Sequence, residues 1–86
     1  MFEINCYTHM GLGDVTAIRE LAASKDIPSL HYSEEGALGT NEALKTWGKT
    51  TEFTVPFVCY KTMENGDQVC HFVEGADEVV SFLEAL

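Results

Sequence analysis

The sequence predicts a single α/β domain of order β-α-β-α-β-β-α: a four-stranded mixed sheet flanked by three helices. Three observations carry that prediction. Period-2 alternation around Phe2–Cys6 and again around Leu30–Tyr32 brackets an amphipathic helical stretch. A strand–helix–strand unit of this kind closes by a right-handed parallel crossover. Asn65-Gly66 stands between two apolar runs, the strongest short hairpin signal. Finally, Val79, Val80, Leu83 and Leu86 recur at helical spacing, with Phe82 at the edge of that stripe.

Phe2, Ile4 and Cys6 alternate with Glu3 and Asn5, and the expected first strand ends at Cys6, where Thr8-His9-Met10-Gly11-Leu12-Gly13 breaks the pattern. Asp14 is the expected N-cap of a helix with Val15, Ile18, Leu21 and Ala22 inward, ending near Lys25. A cation suits the negative end of a helix dipole. Ile27 precedes Pro28 and is therefore pushed to extended backbone. Leu30 and Tyr32 make a short second strand, followed by a polar connection over Ser33–Gly39. Thr40 or Asn41 caps an expected second helix bearing Ala43, Leu44 and Trp47 and stopped by Gly48. Thr54–Tyr60 reads as a third strand with Pro56 near its start, where a missing N–H is tolerated. Val69–Val73 is the returning strand, which Gly75 ends.

Composition narrows the function. The 86 residues carry 14 acidic and 5 basic side chains, a formal net charge of −9. No two basic residues adjoin, so the clustered cations that displace phosphate counterions are missing, and nucleic acid and anionic membrane surfaces are not expected partners. A charge-selected partner would be basic. With 45% apolar residues the chain can hold a modest core as one unit over residues 1–86. No cationic leader runs into a long apolar stretch, and three widely spaced cysteines make no secreted disulfide framework. A reducing cytoplasm and a monomer are the expectation.

The element order, the length, Thr54-Val55-Pro56 before a hairpin, and Gly75-Ala76-Asp77 opening the last helix together resemble a glutaredoxin of the thioredoxin-fold superfamily. The short glutaredoxins of bacteriophages are nearest in size, and the resemblance covers the whole chain. It implies a cis peptide bond at Val55–Pro56. It also implies that the Val55 backbone would pair with an extended thiol peptide such as glutathione, in the manner of an added strand. Glu74-Gly75-Ala76-Asp77 would correspond to the family turn that receives the glutamyl carboxylate.

The departures matter more. Where the family places Cys-x-x-Cys or Cys-x-x-Ser, this chain reads Gly11-Leu12-Gly13-Asp14. The attacking species in that chemistry is a thiolate, held by the positive end of the helix. Asp14 offers those same donors a carboxylate, which cannot exchange with a disulfide. Glu74 replaces the first glycine of the family's glycine pair, adding bulk and negative charge. No cation precedes the lost cysteine position, so at most weak glutathione binding is implied and no cofactor is expected.

Other chemistry is sparse. Cys6 lies on the apolar face of its strand and reads as a buried thiol, with a displaced nucleophile as the alternative. Cys59 and Cys70 fall on paired strands and read as free thiols, although a cross-strand disulfide is conceivable. Cys6 with His9, and Cys70 with His71, do not give the four ligands of structural zinc, and adjacent strand residues face opposite ways, so no metal site is expected.

The expected function is therefore a redox-inactive, glutaredoxin-like binding module. It would hold an extended peptide or protein partner in a groove formed by Gly11, Leu12, Gly13, Asp14, Thr54, Val55, Pro56, Gly75, Ala76 and Asp77. One alternative is a thiol–disulfide oxidoreductase using Cys6 or the Cys59/Cys70 pair. The other is an acidic regulatory or decoy protein.

Overall fold

The computed structural model describes residues 1–9, 15–35, 42, 45 and 56–86. Its elements are β1 (Phe2–His9), α1 (Thr16–Ser24), β2 (Leu30–Glu35), β3 (Phe57–Glu64), β4 (Asp67–Glu74) and α2 (Ala76–Glu84). The strands form one mixed sheet in the order β2-β1-β3-β4. β1 and β2 are parallel, joined through α1, while β1–β3 and β3–β4 are antiparallel. The α/β class and the four-stranded mixed sheet are as the sequence predicts.

Alternation along the strands sorts the core into two faces. Ile4 and Cys6 of β1 and Val58 of β3 meet Ile18 and Ala22 of α1 and Val79 and Leu83 of α2. Both described helices thus cover this one face. On the other face Phe57 and Cys59 are fully buried, with Tyr7 and Phe72 packed against them. The Tyr7 and Phe57 rings stack with centroids 5.1 Å apart. The helix expected from Thr40 or Asn41 to Gly48 lies outside the described residues, apart from Glu42 and Lys45. These two have helical backbone and pair their charges at 3.7 Å. Two helices are therefore described rather than three.

The strands run further than the sequence suggests. β1 continues through Thr8 and His9, so Cys6 sits in mid-strand rather than at its end. β2 continues through Glu35 into the expected polar connection. Polar residues at the ends of these strands hide the alternation, but the ladder partners Thr8↔Glu34 and His9↔Glu35 carry the pairing on. Cap assignment changes as well: the N-cap of α1 is Val15, which has no side-chain oxygen to cap with, and the expected cap Asp14 lies outside the described residues.

Asn65 and Gly66 both take positive φ, 52° and 85°, as a type I′ turn requires. That turn fixes an unbroken register from Glu64↔Asp67 to Phe57↔Glu74. β1 carries one irregularity against β3, between Phe2 and Asn5, at Glu3 with φ 47°. A left-handed residue inserted into an antiparallel ladder is a β-bulge, and the Glu3 carboxylate it presents pairs with Lys61 at 2.7 Å.

Candidate functional site

Topology brings the described members of the expected groove to one end of the sheet. Tyr7 opposes Phe57, so the C-terminal end of β1 adjoins the start of β3. Phe57 opposes Glu74, so the start of β3 also adjoins the end of β4. A helix linking parallel strands runs back against them, which puts the start of α1 at this same end. Pro56, Gly75, Ala76 and Asp77 therefore share one rim. Gly11, Leu12, Gly13, Asp14, Thr54 and Val55 lie outside the described residues, and with them the expected Val55–Pro56 geometry.

Gly75 holds the rim together. Its amide donates to the Pro56 carbonyl at 2.9 Å, and its carbonyl accepts from the Val79 amide at 2.9 Å, closing the first turn of α2. Its backbone, φ 93° and ψ 149°, lies in a region essentially reserved for glycine. No side chain caps α2, and its first turn carries Asp77 and Glu78. Those carboxylates favourably face the positive end of the helix dipole, and they make the rim acidic.

Beside this rim lies a network that alternation alone did not reveal. Thr8 is fully buried, and its hydroxyl meets the Tyr32 hydroxyl at 3.0 Å. Tyr32 donates to Glu34 Oε1 at 2.8 Å, and Arg19 Nε of α1 donates to that same oxygen at 2.6 Å. Because Tyr32 spends its proton on Glu34, Thr8 is the donor between the two hydroxyls. The Tyr32 hydrogen bond, then the Arg19 guanidinium, hold the Glu34 carboxyl below its ordinary range. Burial pushes the Tyr32 phenol up. Extending the period-2 count from Ile4 and Cys6 by one step reaches Thr8 and so marks that one member as inward-facing, but not its partners.

None of the cysteines stands at the rim as an activated nucleophile. Cys6 is fully buried between Tyr32 of β2 and Val58 of β3, and burial pushes its thiol up to about 12. Cys59 is likewise buried and pushed up to about 12, by burial first and then by Cys70 and Cys6. Cys70 is exposed and opposite Lys61, while Cys59 is opposite Phe72, so the two cysteines are diagonal rather than facing. Diagonal strand neighbours lie about 7–8 Å apart, too far to bridge without backbone movement. All three thiols are free.

Among the described residues there is no group of three or more His, Cys, Asp or Glu placed to hold a metal ion, and no helix long and apolar enough to cross a membrane. No protein-family model, curated protein or solved structure matches the chain.

Proposed function

We propose that the chain is a thioredoxin-like domain of glutaredoxin type that binds without redox catalysis, holding an extended segment of a protein partner at the Pro56–Gly75 rim. One observation carries the reading: the Gly75 amide is bound to the Pro56 carbonyl at 2.9 Å, which fuses the start of β3 to the start of α2. That junction gives a rigid backbone ledge at the carboxyl ends of parallel strands β1 and β2, where open α/β sheets accept ligands. The strand order β2-β1-β3-β4, with its parallel β1–β2 pair, agrees with the glutaredoxin arrangement.

Chemistry at the rim favours holding over reacting. A useful nucleophile is an accessible thiolate of lowered pKa, whereas Cys6 and Cys59 are buried and pushed the other way. Cys70 is exposed but lies four positions before Glu74 along β4, about 13 Å from the rim at strand spacing. Reduction of a glutathione mixed disulfide should accordingly show no turnover above buffer.

The test is a peptide selected from a random extended decapeptide library against the folded chain, then mapped by amide chemical shifts. Perturbations centred on Phe57 and on Gly75 to Glu78 support the rim. A selected peptide that leaves those amides unmoved removes the binding-site reading.

A further inference from the structure

The outer edge of β4 is a second feature with its own physics. β4 ends the sheet and pairs only with β3 among the described residues. An open edge offers a row of backbone donors and acceptors, and proteins commonly blunt such edges with lysine, proline or a bulge. Asp67-Gln68-Val69-Cys70-His71-Phe72-Val73-Glu74 contains neither lysine nor proline, and its ladder to β3 has no bulge. The opposite edge, β2, is shorter, and Arg19 reaches from α1 to bind its Glu34.

Charge decides what could cover this edge. Glu64 and Asp67 stand at the hairpin end, and Asp77 and Glu78 at the other. The described cations are committed elsewhere: Arg19 to Glu34, Lys61 to Glu3, Lys45 to Glu42, and Lys25 to the Glu84 carbonyl. A second copy pairing antiparallel along β4 would bring the acidic hairpin end of each chain against the acidic rim end of the other. Like charges opposed across strands are destabilising, so self-pairing is disfavoured. An extended segment with cations at both ends meets acid at both ends instead.

We propose that the outer edge of β4 is a docking site for an extended, lysine- or arginine-flanked segment of a protein partner, added as a fifth strand. Backbone pairing along Gln68–Val73 supplies the attachment, and the acidic ends fix its placement. The Gln68–Val73 backbone lies apart from the Pro56–Gly75 rim, and the two surfaces share only the acidic first turn at Asp77 and Glu78.

The probe is a synthetic octapeptide with two lysines at each end and an alternating valine–threonine centre, titrated into the full chain. Expected are shifts and slowed hydrogen exchange at alternate amides of β4. Binding should fall at least tenfold at about 1 M salt, where the screening length is about 3 Å. A peptide N-methylated along one edge should lose binding to the unaltered protein, and Glu64→Gln with Asp67→Asn, at the hairpin end away from the rim, should weaken it at least fivefold. Shifts confined to Gly75–Glu78 would overturn the β4 site while leaving the rim reading intact. Equal binding by the methylated peptide would overturn strand addition. Concentration-dependent dimerisation that protects β4 without peptide would assign the edge to a second copy and overturn the proposal.

Discussion

The Gly75 amide donates to the Pro56 carbonyl across 2.9 Å. This bond joins two segments nineteen positions apart, and it depends on a backbone that only glycine adopts readily. The end of β4, the start of β3 and the first turn of α2 are thereby set as one rigid corner.

Gly75→Ala isolates that dependence. Among the described residues a Cβ at residue 75 would meet nothing within 4 Å, so none of them adds a clash to the result. The cost is that of the strained backbone alone, about 1–3 kcal/mol. Urea unfolding should show a lower midpoint with an unchanged slope. A midpoint identical to the parent would mean that residue 75 does not hold φ 93° in solution.

Thiol accessibility should separate Cys70 from the other two. With burial holding the Cys6 and Cys59 thiols at about 12 against an ordinary 9.0, the thiolate fraction near neutrality falls about a thousandfold, before the reagent's loss of access is counted. A brief iodoacetamide pulse read by mass spectrometry should modify Cys70 alone, and all three only after unfolding. The raised values also fix a sign: the folded chain resists ionising these thiols, so their contribution is full below pH 9.0 and declines as pH rises towards about 12. Labelling of Cys6 in the native state at the rate of Cys70 would reopen thiol chemistry.

Leu83 is fully buried where α2 meets the sheet and α1. Leu83→Ala leaves a cavity there and should cost about 2–5 kcal/mol in chemical denaturation. Met63→Ala, at an exposed position, should change stability by less than about 0.5 kcal/mol. Equal effects would place α2 elsewhere.

Acid sensitivity should trace to Glu34. Its carboxyl lies below the ordinary 4.5, through the Tyr32 hydrogen bond first and Arg19 second. A depressed folded value means that the ionised form favours the native state. That contribution is complete above pH 4.5 and is lost as pH falls through the lower folded value. Glu34→Gln should flatten the stability profile in that window, as read by urea midpoints from pH 6 downward. Tyr32→Phe leaves the buried Thr8 hydroxyl only the Ser33 carbonyl, at 3.5 Å, and should cost about 1–3 kcal/mol at neutral pH. An unchanged acid profile in Glu34→Gln would remove Glu34 from this role.

The sheet was legible because its signals are local. Asn65-Gly66 dictates its own turn, and the alternation of Ile4 and Cys6 survives in the fold. Strand ends were less legible because pairing partners, not propensity, extend them: Thr8 and Glu34 lie in the ladder only because each has the other opposite. Four of the ten expected groove residues, Pro56, Gly75, Ala76 and Asp77, are described, and the helix start at Gly75 was readable because a glycine before a helical stripe marks one. The Thr8–Tyr32–Glu34–Arg19 network was not, because it links four residues from three elements by side-chain reach, which no sequence spacing encodes. The diagonal placement of Cys59 and Cys70 likewise follows from hairpin register, one step finer than knowing that their strands pair.

Amide shift mapping with a library-selected extended peptide, run alongside a glutathione mixed-disulfide assay on the same sample, separates binding at the Pro56–Gly75 rim from thiol catalysis. The predicted result is saturable shifts at Phe57 and Gly75 to Glu78 with no disulfide turnover. Turnover that disappears when a cysteine is changed to serine, with those amides unmoved by any selected peptide, would contradict it.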